Sequence, residues 1–575
     1  MSGRSKAIPF AERLDPAFHA RLARASGSLS TASAALAFAD WWLHLAASPG
    51  KLTDLANLAQ QQAARLIAYA AACAVTGTEG AAPCVPAARD HRFDAAQWRR
   101  WPFNLMQQSF LLAEQWWAAA TSGVWAVEPH HAQKVAFGAR QILDTVSPTN
   151  FLATNPVVLE RTRDQAGMNL WRGLWFAFDD LRRVLADAPL AGSEQYVLGR
   201  NLAATPGRVV LRNRLIELIQ YTPRTKRVHP EPVLIVPAWI MKYYILDLAP
   251  GSSLVEYLVE RGHTVFCISW KNPQADDRDL GMEDYAQLGP MAALEAVGRI
   301  VPKRKVHAVG YCLGGTLLAA TAAAMARDAD ARLATMTLFA AQTDFREPGE
   351  LSLFIDESQV GLLEAQMKER GYLTSRQMAG AFQMLRSYDL LWSRMVGEYL
   401  LGERRALNEL MAWNADATRM PARMHSEYLR SLFLHNDLAE GRYRVAGGTV
   451  SLEDIRVPMF IVSTLADHVA PWRSVYKIQH LSPAPMTFVL TTGGHNAGIV
   501  SPPGHSPARR FQVLERAAGA PVPSADEWRA AAPAHEGSWW PTWQSWLAKR
   551  SGALVEPPRI GAALGAAPGQ YVLQK

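Results

Sequence analysis

The chain has 575 residues, 49% hydrophobic and 19% charged, which is enough apolar material for roughly two to four packed domains and excludes a disordered or fibrous protein. Its 59 basic against 52 acidic residues leave a net charge of +7, too thin an excess over this length to mark a nucleic-acid partner. Four scattered cysteines (Cys73, Cys84, Cys267, Cys312) exclude a disulfide framework and a zinc ribbon and fit a reducing, cytoplasmic setting.

The opening residues lack the apolar run of a secretory signal, and the apolar stretch 31–47 is interrupted by Asp40 and His44, so no transmembrane segment is expected. Residues 1–200 read as a helical N-terminal domain, with Leu52, Leu55, Leu58 and Leu66 at helical spacing. Tryptophans cluster there: Trp41-Trp42, Trp98 with Trp101, Trp116-Trp117 and Trp125. They read first as core packing, and alternatively as an aromatic surface for an apolar partner. Residues 77–86 form a Gly/Ala/Pro loop between helices.

From about residue 230 short apolar runs alternate with helical stretches, at 232–237, 263–270, 305–310, 333–340, 458–464 and 486–491. That alternation predicts a mostly parallel α/β sheet within 201–575. The basic run Lys303-Arg304-Lys305 reads as a solvated turn ahead of one strand. Between 341 and 457 the alternation stops, leaving an insert with helical patterns such as 375–398 that is too long for a loop. Placed over the carboxyl ends of the strands, it would be a cap. The run at 486–491 reads as the last strand, followed by a loop, Trp-rich helices around 539–546 and a Gly/Ala/Pro tail.

The chemistry sits in Gly310-Tyr311-Cys312-Leu313-Gly314-Gly315, which follows an apolar strand and opens a helix of small residues. Strand, Gly-x-Cys-x-Gly and helix make the nucleophile elbow of the α/β-hydrolase fold, with cysteine where serine usually stands. The elbow holds its nucleophile at a strained backbone angle, so the residues two before and two after must be small. Cys73, Cys84 and Cys267 lack such a setting and read as structural. The order of this fold is nucleophile, acid, base. His495, between Gly493-Gly494 and Ala497-Gly498 after the run at 486–491, is the candidate base. His425, His435, His505 and His535 do not terminate a strand. Asp467, at the end of the 458–467 run, is the candidate acid, its alternative reading being a helix cap. Asp344, Asp356, Asp389, Asp416, Asp437 and Asp454 compete, and of these only Asp344 closely follows a strand. An oxyanion hole would use the backbone N–H of Leu313 and one from the turn after 233–236. Pro237 cannot donate, which leaves Ala238, Trp239 and Ile240, with Trp239 at their centre.

A thiol at this elbow forms a thioester, nearly isoenergetic with an incoming acyl thioester, whereas onward transfer to an alcohol is downhill. Cysteine therefore favours acyl transfer to a hydroxyl where water is kept out.

The chain resembles the polyhydroxyalkanoate synthases, most closely the class I, short-chain enzymes, from about residue 95 onward. The matching stretches include Ser147-Pro-Thr-Asn-Phe-Leu-Ala-Thr-Asn-Pro, Gly199-Arg-Asn-Leu-Ala-Ala-Thr-Pro-Gly, Trp239-Ile-Met-Lys-Tyr-Tyr-Ile-Leu-Asp-Leu and Gly310-Tyr-Cys-Leu-Gly-Gly. Trp413-Asn-Ala-Asp, Asp467-His-Val-Ala-Pro-Trp, His495-Asn-Ala-Gly and Gly537-Ser-Trp-Trp-Pro follow in order. The resemblance implies that Cys312 is acylated, that His495 is the general base and that Asp467 supports or activates the incoming hydroxyl. It implies polymerisation of (R)-3-hydroxyacyl-CoA, 3-hydroxybutyryl-CoA by the Gly-Tyr-Cys form of the elbow, with release of CoA and no metal or cofactor. It also implies a homodimer at the surface of cytoplasmic polyester granules. Two departures stand near the presumed pocket: Ala238, where the family often has a second proline, and Asn496, where it usually has an apolar residue. The first ~90 residues match only loosely. A thiol esterase or depolymerase of the same fold, or a non-catalytic granule-surface protein, are the alternatives, and a scaffold would have no need of the Cys, Asp and His set.

Overall fold

The structure, a computed structural model, describes residues 10–76, 81–87, 90–186, 188–378, 380, 391–504 and 509–575. They cluster into two compact units. One comprises Met1–Ser28, Ser193–Ala379 and Leu407–Lys575, and the other Leu29–Gly192 and Gly380–Ala406.

In the first unit the strands in chain order are β1 (Gly207–Arg212), β2 (Ile216–Tyr221), β3 (Val233–Val236), β4 (Val265–Trp270), β5 (Val306–Tyr311) and β6 (Leu333–Phe339). The short pairs β7 (Tyr372–Leu373) with β8 (Met420–Pro421) and β9 (Arg444–Val445) with β10 (Gly448–Thr449) follow in the insert. The main sheet resumes with β11 (Met459–Thr464), β12 (Met486–Thr491), β13 (Arg510–Arg516), β14 (Ala534–Glu536) and β15 (Gly565–Ala566). Its eleven strands run β14-β13-β12-β11-β6-β5-β3-β4-β2-β1-β15. The six from β12 to β4 are parallel, and the flanking pairings are antiparallel. Five of those six strands are buried along their whole length, and β6 at all but one residue, because helices cover both faces. Their sequences are accordingly near-continuous apolar runs. The right-handed crossovers of such a sheet bring every parallel strand's carboxyl end to one edge.

The sheet extends beyond the six expected runs. β1 and β2 add antiparallel strands ahead of residue 230, and 486–491 is not the last strand, since β13, β14 and β15 follow it. The Gly/Ala/Pro tail is built in as well: Ala566 and Gly565 pair with Arg208 and Val209, and Val572 is buried. Lys303, Arg304 and Lys305 lie exposed in the turn before β5.

The remaining helices of this unit include α1 (Phe10–Ala25), α8 (Leu254–Glu260), α9 (Met282–Ala286), α10 (Ala292–Ile300), α11 (Leu313–Arg327) and α12 (Glu357–Arg370). α1 packs on α12 of the insert, where Arg24 pairs with Glu369 at 2.6 Å. The middle of the helical pattern expected at 375–398 lies outside the described residues.

The second unit holds α2 (Thr31–Ala46), α3 (Pro49–Thr76), α4 (Phe103–Thr121), α5 (Pro129–Thr145), α6 (Pro156–Asp164) and α7 (Met168–Leu185). Ser30 caps α2 by accepting from the Ser33 N–H at 3.1 Å. Two small cores form, one around Trp41, Leu45 and Leu55 and one around Phe93, Trp98 and Phe110. The tryptophans divide between both readings: Trp41 and Trp98 are buried, while Trp42, Trp101 and Trp125 are exposed. Gly173 of α7 meets the Tyr399 backbone so closely that a Cβ would lie 1.9 Å from its carbonyl oxygen. The other face of α7 carries exposed Trp171, Leu174, Trp175, Phe178 and Leu181, spaced three and four apart along one stripe. Among the described residues no helix is long and apolar enough to cross a membrane.

Candidate active site

β5 passes into α11 through a single residue, Cys312, with φ +52° and ψ −126°. A non-glycine residue holds such a backbone only where the surroundings enforce it, and here they do. A Cβ on Gly310 would stand 2.4 Å from the Gly315 Cα, and one on Gly314 would stand 2.2 Å from the Val236 carbonyl oxygen. The elbow is thus pressed between its own helix and the end of β3, which only glycine at both positions allows. The Cys312 N–H donates to the Phe339 carbonyl at 2.9 Å, and its own carbonyl accepts from Gly315 and Thr316 to start α11. Together these bonds fix the Cys312 backbone at the carboxyl edge of the sheet.

Asp467 lies in the turn after β11, its side chain fully buried. Its Oδ1 accepts from the N–H groups of Val469 (2.9 Å) and Ala470 (2.8 Å), and its Oδ2 from the Thr464 hydroxyl at 3.2 Å. The remaining contact of Oδ2 is His495 Nδ1 at 2.8 Å. One carboxylate both fixes its own turn and orients the imidazole, so the capping and acid readings describe the same side chain. His495 sits in the turn after β12, where Gly493 takes φ +107°. Its imidazole hydrogen-bonds Asp467 through Nδ1, and Cys312 lies close enough to act on its charge. Burial disfavours its cation, yet the neighbouring Asp467 and Cys312 outweigh that cost and hold the imidazole well above its ordinary range. The arrangement is a basic histidine poised against a thiol.

Leu313 is the first residue of α11, so its N–H has no acceptor within the helix. The turn after β3 lies alongside: a Cβ on Gly314 would be 2.5 Å from the Pro237 carbonyl oxygen. Trp239 and Ile240 present their carbonyls to Thr418, and the Trp239 N–H donates to no acceptor among the described residues. Cys312, Asp467 and His495 are therefore brought together, with Leu313 and the Trp239 turn at the same edge.

The competing residues have other work. Asp344 accepts from the Arg346 N–H and faces Lys477 at 3.8 Å, with no histidine partner. Asp356 caps α12, Asp416 accepts from Tyr244, and Asp437 pairs with Arg442. Asp454 closes a short 3-10 turn. His425 is buried, and His535 stacks on Phe511. Asp389 and His505 lie outside the described residues. Cys84 and Cys267 are buried, and all four cysteines are free thiols. Two residues at the site escaped the sequence reading. Tyr311, read only as part of the elbow, donates its hydroxyl to Asn496 Oδ1 at 2.6 Å. Tyr428, half-buried, has its phenol pushed up by desolvation and by the nearby Cys312 sulfur.

Three family models match the chain. Residues 9–51 match one described as "Poly-beta-hydroxybutyrate polymerase N terminal", within the part whose motifs resemble the family only loosely. Residues 89–258 match "Poly-beta-hydroxybutyrate polymerase (PhaC) N-terminus", and residues 231–502 match "alpha/beta hydrolase fold". The chain is 41% identical over 498 residues to the poly(3-hydroxyalkanoate) polymerase of Methylorubrum extorquens, covering 85% of this chain and 82% of that one. It is 38% identical over 489 residues to the poly(3-hydroxyalkanoate) polymerase subunit PhaC of Rhizobium meliloti, covering 84% and 79%. The corresponding subunit of Cupriavidus necator is 36% identical over 511 residues, covering 86% and 85%. With that identity across most of both chains, the chain belongs to the poly(3-hydroxyalkanoate) polymerase family, acyltransferases built on the α/β-hydrolase fold.

Proposed function

We propose that this chain polymerises (R)-3-hydroxyacyl-CoA into polyester through a thioester on Cys312, with 3-hydroxybutyryl-CoA the preferred class of monomer. The single observation that carries the reading is a cysteine at φ +52°, electrostatically coupled to a histidine that a buried carboxylate orients.

His495 takes the proton from the Cys312 thiol as sulfur attacks the thioester carbonyl of the monomer. Charge develops on the carbonyl oxygen, where the Leu313 N–H and the Trp239 N–H are the donors that fit. The carbon–sulfur bond to CoA breaks, and His495 returns its proton to the departing CoA thiolate. In the second half, His495 removes the proton of a 3-hydroxyl group, supported from Asp467. The alkoxide attacks the Cys312 acyl carbon, and the thiol reforms as the ester bond closes. One thioester becomes one oxoester and one free thiol per monomer, which is downhill. Water competes with the hydroxyl at the second step, so a covered site favours polymer over free acid.

The same reading places the chain as a homodimer at the surface of cytoplasmic polyester inclusions. The apolar stripe of α7, with Trp171, Trp175 and Phe178 each more than half exposed, supports contact with a polymer surface.

The test mixes purified protein with (R)-3-hydroxybutyryl-CoA and follows free thiol together with the acyl product. Thiol release with turbidity and insoluble polyester is expected, and Cys312→Ala abolishes both while the protein stays folded. Soluble 3-hydroxybutyrate as the sole product makes the protein a thiol esterase, and turnover by Cys312→Ala overturns the thioester mechanism.

A further inference from the structure

Tyr311 immediately precedes Cys312, and Asn496 immediately follows His495, 185 residues further along the chain. The Tyr311 hydroxyl donates to Asn496 Oδ1 at 2.6 Å, and its ring centroid lies 5.6 Å from that of His495. Tyr311 is only 2% exposed. Burial, aided by Cys312 and Asp467, pushes its phenol far above the ordinary range, so it remains a donor at every working pH. Asn496 Nδ2 donates in turn to Asn414 Oδ1 at 3.4 Å, at the end of the helix Glu409–Asn414.

The backbone leaves these two loops unjoined. The base loop is tied to the acid loop: the Leu465 N–H donates to Thr491 at 2.8 Å and the Ala466 N–H to Gly493 at 2.9 Å. The elbow is tied instead to β6, through the Cys312 N–H to Phe339. β6 and β11 stand between β5 and β12 in the sheet, and among the described residues no backbone hydrogen bond joins 310–316 to 492–498. Asp467 orients the imidazole through Nδ1, and among the described residues it makes no hydrogen bond to the elbow itself.

We propose that the Tyr311–Asn496 hydrogen bond is the clasp that fixes the separation of Cys312 and His495, which makes Tyr311 and Asn496 positioning residues for both acyl transfers. This rests on the reading of Cys312 and His495 as the reacting pair. A neutral clasp suits the position. It adds no charge beside an imidazole that must gain and lose a proton twice per monomer, yet it resists drift of the base loop. A misplacement of ~1 Å at a reacting pair costs on the order of 100-fold, so a loosened rather than broken contact should cost about tenfold.

The experiment measures kcat and KM of thiol release from (R)-3-hydroxybutyryl-CoA for Tyr311→Phe, Asn496→Leu, their combination, Asn496→Asp and Cys312→Ala. Each of the first two is expected to lower kcat about tenfold with KM within about twofold, and to lower the thermal midpoint by only about 1–3 °C, the cost of one buried hydrogen bond in a chain this long. The combination should be no slower than Asn496→Leu alone, because the single variant orphans a buried hydroxyl that Tyr311→Phe removes. Asn496→Asp keeps an acceptor for the phenol but adds a charge beside His495, so its kcat should lie above that of Asn496→Leu and below that of the parent, with the pH optimum displaced upward. Losses that multiply in the double variant, a change confined to KM, or single variants within about twofold of the parent overturn the clasp. If Asn496→Leu fails to fold, Tyr311→Phe, which removes one oxygen, decides alone. Cys312→Ala separates the two readings. Its activity, if retained, removes the reacting pair and the clasp with it, whereas an inactive Cys312→Ala beside an unimpaired Tyr311→Phe removes only the clasp.

Discussion

At the carboxyl ends of β11 and β12, His495 lies against Asp467 and Cys312 and is held well above the ordinary imidazole range. At the amino ends of β4 and β5 the same side chain is treated the other way: burial pulls His263 down to about 3 and His307 down to about 4. His307 is satisfied by hydroxyls, Thr335 at 2.8 Å and Ser551 at 3.0 Å, and His263 stacks on His229 at 4.5 Å. The His495 side chain keeps 11% exposure where His263 and His307 keep 1% and none, a difference too small to reverse the direction of the shift, so burial does not decide the role. A hydrogen-bonded carboxylate makes a buried histidine a base, and hydroxyls and a second imidazole make it a neutral part of the core.

The sharpest way to break this contrast is to remove the carboxylate charge and leave its shape. Asp467→Asn leaves burial of His495 unopposed on that side, so the imidazole falls toward the behaviour of His263 and His307. Thiol release should drop at least about 100-fold, on the scale seen when an orienting carboxylate is neutralised in serine hydrolases. A loss smaller than about tenfold would show that Asp467 serves its own turn, through Val469 and Ala470, more than it serves His495.

A smaller loss is expected from geometry at the carboxyl edge. In Gly314→Ala the new methyl meets the Val236 and Pro237 carbonyl oxygens at 2.2 and 2.5 Å, backbone atoms that cannot swing aside. The turn carrying Trp239 must shift, with an expected loss of about tenfold in thiol release and about 1–3 kcal/mol in stability. Gly298, exposed on α10 near the amino edge, has nothing within 4 Å of an added Cβ. Gly298→Ala should gain about 0.5–1 kcal/mol. Equal effects of the two alanines on thermal midpoint and turnover would mean that the elbow is not under the compression described.

What the sequence revealed follows the same division. The six parallel strands were legible because both faces are covered, which forces unbroken apolar runs, and Cys312, Asp467 and His495 were legible because they terminate such runs. β2 was not, because Glu217 and Gln220 interrupt it, yet both are fully buried. Glu217 accepts from the Gln570 and Tyr571 N–H groups, and Gln220 binds Arg559 and Gly561, partners some 340 or more residues away in the tail. No local pattern announces a polar residue whose partner arrives from the far end of the chain. The pairing of Tyr311 with Asn496 was missed for the same reason: Asn496 stood out as a departure from the family, but nothing local ties it to a tyrosine 185 residues away.

The smallest effect tests the amino edge. Unfolded histidine titrates near 6.5, while His263 and His307 in the folded protein stay neutral down to about 3 and about 4, as does the buried His425. Below pH ~6.5 the unfolded chain therefore binds protons that the folded one refuses. The stability these histidines contribute is complete above 6.5 and is lost as the pH falls toward their folded values. Asp247, fully buried and pushed up to about 6, works in the opposite sense, gaining its proton in the folded state first. His495, held high, loses nothing on acidification. Burial also pulls His229 down, while it pushes the Asp416 and Glu114 carboxyls up and so offsets it in part. The three most strongly shifted histidines against Asp247 leave a net loss of about two protons, or roughly 2–3 kcal/mol per pH unit between 6 and 5. The thermal midpoint should fall by about 3 °C over that unit. His263→Leu should flatten the decline by about half without altering thiol release at pH 7.5. If the slope is unchanged, the acid sensitivity arises elsewhere, and the two edges differ in geometry but not in how they handle protons.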